Sequence, residues 1–229
     1  MRRTCDDGIE RKKYKLAVFD MDGTILNTLD DLTDSVNHAL RMNGLPLRTR
    51  DEVKWFVGNG IRLTVERAVP PDCKKEITEK VFSDFKAYYS KHSADKTCAY
   101  PGIEQTLLAL KNAGIMRACV SNKSDAVVKQ LCEQYFKGLF DVAIGENEEA
   151  GIRKKPAPDE VNLVLQTLSV VKEEAIYIGD SDVDILTAVN SKLDMCAVTW
   201  GFRDKEFLIE KGAILLADTA EDLQSILLG

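Results

Sequence analysis

Lys15-Leu16-Ala17-Val18-Phe19-Asp20-Met21-Asp22-Gly23-Thr24 is the stretch on which the fold turns. Four apolar residues run without interruption and stop at two carboxylates placed two residues apart. A short continuous apolar run suits a strand buried on both faces, as the strands of a parallel sheet are. The same texture returns at residues 116–120, 142–144, 175–178, 195–199 and 214–216. Amphipathic stretches separate these runs, and several open on helix-start signals: Ser124 before residues 125–135, Ala157-Pro158 before 159–168, and Thr219 before 220–228. Strands alternating with helices predict an α/β fold, a Rossmann-like doubly wound parallel sheet.

Residues 27–96 break the alternation. They hold no good strand and read as helices over 29–42, from Thr49 to Gly58, over 61–69 and over 74–92. Thr49-x-x-Glu52 has the form of a capping box, and Asn43-Gly44 and Pro70-Pro71 are stop signals. The expected organisation is an α/β core domain from residues 1–26 and 97–229, with an α-helical cap domain inserted over 27–96. An insertion there can cover whatever lies at the end of the first strand.

Composition narrows the function classes. The chain has 229 residues, 45% hydrophobic and 30% charged, with a formal net charge of −6. That charge gives no footprint for nucleic acid or an anionic membrane surface. No apolar run approaches the roughly 20 residues needed to span a bilayer. Met1-Arg2-Arg3 could begin a secretion signal, but charged residues 6, 7 and 10–13 occupy the place of its apolar region, so a solvated N-terminal arm is expected. Six cysteines (5, 73, 98, 119, 132 and 196) include no C-x-x-C pair and read as the reduced thiols of a cytoplasmic protein. Two histidines, His38 and His92, leave little scope for histidine-based catalysis or a histidine-rich metal site.

Polar groups gather where the predicted strands end. Asp20 and Asp22 follow the first, Ser121-Asn122 the run 116–120, and Gly179-Asp180-Ser181-Asp182 with Asp184 the run 175–178. Lys155 lies in the connection before the helix at 159. Ligands of open α/β sheets bind outside the carboxyl ends of the strands. Any one of these acids could be a helix cap; together they define a site.

These residues resemble the haloacid dehalogenase superfamily, and within it the phosphoglycolate phosphatase-like branch with a helical cap. Asp20-x-Asp22-Gly23-Thr24 is similar to its first motif, Ser121 to the second, Lys155 before Pro156 to the third, and Gly179-Asp180-x-x-x-Asp184 to the fourth. Residues 57–60, 100–102 and 199–203 also resemble the branch. Lys192 departs from it, standing where relatives commonly carry Gly. The resemblance implies a Mg²⁺-dependent hydrolase of a small phosphate ester that works through a phospho-aspartate on Asp20. Asp20, Asp180 and the Asp22 carbonyl would hold the metal, and the Asp22 side chain would serve as acid and base. Lys155 and Ser121 would hold phosphoryl oxygens, with Gly23, Thr24 and Asn122 assisting. Asp184 either holds Lys155 or a metal-bound water, or only occupies a helix first turn. In the cap, Asn59 and Arg62 are candidate leaving-group contacts, Arg62 as a guanidinium clamp on a carboxylate; the alternative is a plain turn and a solvated helix residue. Pyrophosphatase, nucleotidase and phosphosugar phosphatase or mutase activities share such a core. A phospho-accepting receiver module shares the chemistry but is about half the length and lacks a cap. The chain is expected to work as a monomer or homodimer.

Overall fold

The computed structural model describes residues 14–147 and 151–229. The N-terminal arm and Cys5 lie outside the described residues. In chain order the elements are β1 (Leu16–Phe19), β2 (Leu26–Asn27), α1 (Leu29–Met42), α2 (Arg50–Phe56), α3 (Ile61–Ala68), α4 (Lys75–His92), β3 (Cys98–Ala99), α5 (Ile103–Asn112), β4 (Met116–Ser124), α6 (Asp125–Tyr135), β5 (Val142–Glu146), α7 (Asp159–Leu168), β6 (Ala175–Gly179), α8 (Asp182–Ser191), β7 (Asp194–Val198), α9 (Lys205–Glu210), β8 (Leu215–Ala217) and α10 (Ala220–Leu228).

Six strands form one parallel sheet in the order β5-β4-β1-β6-β7-β8. β1 is central, with Phe19 in register with Cys119 of β4 and Ile178 of β6. All four β1 residues are buried, and their alternation divides the core. Ala17 and Phe19 pack with residues of α5, α6 and α10, whereas Leu16 and Val18 pack with Val161, Val164 and Leu165 of α7. A strand apolar on both faces thus records helices on both sides. The chain adds β4 and β5 on one side of β1, then β6, β7 and β8 on the other. The direction of winding therefore reverses beside β1, where such sheets form their binding crevice.

Between β2 and β3 the chain builds only helices, α1 to α4. β2 and β3 pair antiparallel, Leu26 with Ala99 and Asn27 with Cys98, forming a neck where the helical segment leaves and rejoins. The sequence gives no sign of this pair: two residues are too few for a periodicity, and the partners stand about 70 positions apart. Buried Asp31 of α1 reinforces the neck by accepting from the Lys96 N–H at 2.9 Å and from both the N–H and hydroxyl of Thr97 at 2.8 Å.

Local signals are met unevenly. Thr49 and Thr219 make full capping boxes with Glu52 and Asp222. Ser124 precedes α6, but its side chain caps nothing, because β4 continues through it and its backbone is already committed. Pro158 stands at the cap position rather than in the first turn of α7. No helix among the described residues is long and apolar enough to cross a membrane.

Candidate active site

Beyond β1 the backbone turns on itself. The Asp20 N–H still donates to Ile178 O at 2.8 Å, in sheet fashion, and the Met21 carbonyl then accepts from Thr24, Ile25 and Leu26. This loop carries Gly23 at φ +84° close against Asp180, where a Cβ would stand 2.2 Å from a carboxylate oxygen. Only glycine meets both demands.

Asp20, Asp180 and Asp184 each offer a carboxylate oxygen within 4.8 Å of the others, and all three are buried. Lys155 Nζ lies 2.7 Å from Asp20 and 2.9 Å from Asp184. Burial works against the charge on Lys155, but Asp184 and Asp20 outweigh it and hold the ammonium protonated. The acids are less well compensated. Burial and then Asp184 push the Asp20 carboxyl well above its usual range, with Lys155 pulling back. Burial and Asp184 push Asp180 up to about 7, against the Phe202 N–H at 2.6 Å and the Thr24 hydroxyl at 3.0 Å. Two neighbouring carboxyls, Asp20 and Asp180, both held above their normal range mark a place short of positive charge. Its all-oxygen donor set suits a hard divalent cation such as Mg²⁺.

Asp184 is the hub of the edge. Its Oδ1 accepts from Lys155 and from the Tyr177 hydroxyl at 3.1 Å; its Oδ2 accepts from the Ser181 hydroxyl at 2.6 Å and closes a capping box at the start of α8. Of the roles left open for it, holding Lys155 and capping the helix are both seen.

Asp22 stands apart from this cluster. Its Oδ1 accepts from the Thr28 hydroxyl and lies 2.6 Å from Lys123 Nζ. Lys123 is buried, and its ammonium sits 4.9 Å from the centre of the Tyr89 ring of α4. Burial opposes its charge, but Asp22 and then Tyr89 outweigh that, so its pKa is raised; burial foremost, with Asp22 adding and Lys123 pulling back, pushes the Tyr89 hydroxyl up to about 12. Asp20, Asp22, Ser121 and Lys123 line a cavity of about 30 Å³ roofed by Ile61 of α3 and Phe85 of α4.

The helical segment is fastened over this edge from below. Asn122 Nδ2 donates to Gly58 O and to Lys155 O, both at 3.0 Å. Arg203 donates to Lys54 O at 2.9 Å and Val57 O at 3.0 Å, satisfying carbonyls at the end of α2.

The structure thus brings Asp20, Asp22, Gly23, Thr24, Ser121, Asn122, Lys155 and Asp180 to one edge. Thr24 spends its hydroxyl on Asp180, and the Asn122 amide is engaged as described. The cap candidates lie elsewhere. Asn59 Oδ1 accepts from Arg67 at 2.9 Å. Arg62 pairs with Glu79 at 2.6 Å, lies 3.8 Å over the Phe82 ring, and faces a neighbouring groove with Lys86 and Lys154. Sequence reasoning overlooked Lys123 and Tyr177, and it singled out 199–203 without giving Arg203 a role. Lys123 was within reach, since it directly follows Ser121-Asn122 at a strand end. Tyr177 is hidden inside an apolar run, and only its hydroxyl hints at a polar partner.

Residues 17–198 match the family description haloacid dehalogenase-like hydrolase. A phosphoglycolate phosphatase of Vibrio parahaemolyticus is 29% identical over 224 residues, covering 94% of this chain and 97% of its own. Phosphoglycolate phosphatase 1 of Pseudomonas aeruginosa is 31% identical, covering 91% of this chain and 78% of its own. Among solved structures, a provisionally assigned phosphoglycolate phosphatase from Lactobacillus delbrueckii subsp. bulgaricus superposes with a TM-score of 0.90 at 39% identity, covering 95% of this chain and 99% of its own.

Proposed function

The chain belongs to the haloacid dehalogenase-like hydrolases, and from that premise we propose a Mg²⁺-dependent phosphatase that cleaves a small phosphate monoester, phosphoglycolate foremost, through a phospho-aspartate on Asp20. The relatives' shared name supports the substrate. The observation that carries the chemistry is the separation of two carboxylates two residues apart. Asp20 sits among acids with Lys155 at 2.7 Å, and Asp22 is turned away onto Thr28 and Lys123.

Two carboxylates with different partners at one site can take different parts in one reaction. An Asp20 oxygen attacks phosphorus, forming an O–P bond while the bond to the leaving oxygen breaks. Asp22 delivers its proton to that oxygen, then takes one from the water that attacks the phospho-aspartate, releasing phosphate and restoring Asp20. Lys155 and the Ser121 hydroxyl hold phosphoryl oxygens as their charge spreads. A carboxylate and a phosphate about 4 Å apart repel by roughly 4 kcal/mol per charge pair at an effective dielectric of 20. Asp20, Asp180 and the Asp22 carbonyl would hold Mg²⁺, which would supply the positive charge that this edge lacks. Residues 27–96 act in this reading as the cap domain that excludes water from the core domain.

The test is phosphate release from phosphoglycolate, inorganic pyrophosphate, a phosphosugar and a nucleotide, with Mg²⁺, with Ca²⁺ and after chelation. Multiple turnovers with Mg²⁺, highest on phosphoglycolate and lowered by Ca²⁺, are expected. Full activity after exhaustive chelation removes the metal role. A single labelling of the protein without turnover removes the hydrolase.

A further inference from the structure

Among the described residues that line the cavity, Lys123 is the one cationic side chain. Lys155 belongs to the acid cluster behind it, between Asp20 and Asp184. Lys123 is only 3% exposed, and its ammonium meets Asp22 at 2.6 Å and, from α4, Tyr89, whose ring and hydroxyl border it. An ammonium has three N–H donors, and a buried donor with nothing to meet is costly. Here a donor left over from these two partners adjoins a cavity with Asp20, Asp22, Ser121 and Asn122 on the sheet side and Leu32, Val57, Ile61 and Phe85 on the helical side. A lone cation between the two sides fits a ligand with an anionic group beyond the one held at the sheet edge.

Position decides which end of the ligand is meant. Lys123 stands 2.6 Å from Asp22, the carboxylate that faces the leaving oxygen, not from Asp20, which faces phosphorus. A leaving group departing past Asp22 meets the ammonium within an atom or two of the broken bond. The Tyr89 ring, 4.9 Å from Nζ, comes from α4, so the helical segment helps fix the ammonium.

Resting on the phosphatase reading above, we propose that Lys123 is the specificity-determining residue of this site. It selects esters whose leaving group carries a carboxylate close to the bridging oxygen. The contact expected of Arg62 falls instead to a lysine of the core.

The experiment compares phosphoglycolate with its uncharged amide, glycolamide phosphate, as substrates of the wild type and of Lys123→Met. Methionine keeps the length and removes the charge. The wild type should prefer the acid. In the variant kcat/KM for the acid should fall roughly 10–100-fold further than for the amide, the size of a lost hydrogen bond to a charged group. If both esters lose the same factor, Lys123 only positions Asp22 and the proposal is overturned. Should Lys123→Met not fold, the wild type still tests the selection: equal kcat/KM on acid and amide overturns it. A wild type that cleaves both without preference fails this proposal alone. One that cleaves no phosphate ester fails the phosphatase reading.

Discussion

The carboxyl edge of the sheet and the helices above it treat polar groups in opposite ways. At the edge, charges answer one another at short range. Lys155 bridges Asp20 and Asp184, Lys123 meets Asp22, and Thr24 and the Phe202 N–H hold Asp180. The helical segment turns apolar side chains such as Ile61 and Phe85 toward the cavity, and its carbonyls at Lys54, Val57 and Gly58 accept from Arg203 and Asn122 of the core. The difference teaches where each kind of information lies. On the proposed reading, reaction type depends on which residues stand at the edge, and selectivity on what the two regions enclose together.

The comparison can be broken most sharply at Asp20. Asp20→Asn replaces the proposed nucleophile with an amide of nearly the same shape and should lower turnover roughly 10³-fold or more. The helices, which touch this residue only across the cavity, should keep their place, so circular dichroism and protease resistance should match the wild type. More than a few per cent of wild-type turnover, once mass spectrometry excludes deamidation back to Asp, would falsify the covalent role.

The two regions also differ in how far the sequence discloses them. β1 was legible because an apolar run ending in paired acids has one economical structure: a central strand delivering them to the sheet edge. α1, α6, α7 and α10 begin and end where caps, stop signals and periodicity put them. Arg62 and Arg203 show the limit. Both are arginines near a Gly or aromatic turn, and nothing local tells which one engages solvent-side Glu79 and which reaches α2 from some 150 positions away. Lys123 is the intermediate case, its place at a strand end readable but its pairing with Asp22 a product of the loop geometry. Contacts set by long-range packing leave no short-range trace.

A smaller effect sharpens the comparison from inside the core. Glu160, in the first turn of α7 and five residues after Lys155, is fully buried, yet neither carboxylate oxygen has a hydrogen-bond partner among the described residues. Burial pushes its carboxyl up to about 7, with Lys155 pulling back. It therefore shows what burial does where the partnering seen at the edge is missing. A folded-state pKa above the unfolded value means the folded protein binds more protons between about pH 4.5 and 7. The stability Glu160 contributes is then present below that window and lost as pH rises through it. Glu160→Gln removes the titration. The unfolding free energy of the variant minus that of the wild type should rise by on the order of 2–3 kcal/mol between pH 4 and pH 8. Denaturant titrations at several pH values measure it, and a difference that stays flat means the carboxylate has a partner in solution.

The smallest effect belongs to the end of α8 farthest from the chemistry. Ser181 and Asp184 cap the start of this helix at the edge, and Lys192 ends it at φ 60°, ψ 43°, in the left-handed region. The Leu193 N–H returns to Ala188 O at 3.0 Å, the bond that closes such helix ends. An L-residue held there costs about 1–2 kcal/mol, whereas glycine avoids the clash but gives up about 0.5–1 kcal/mol of chain entropy on folding. Lys192→Gly should therefore stabilise the protein by about 0.5–1 kcal/mol, a rise in Tm of roughly 1–4 °C at this size. Ten residues of helix, about 15 Å, separate Lys192 from the catalytic edge, so kcat/KM should stay within twofold of the wild type. An unchanged or lower Tm shows that the lysine side chain offsets its own backbone strain. A changed kcat/KM shows that α8 carries strain from its far end to Asp180 and Asp184, and the edge would then be less self-contained than its dense internal pairing indicates.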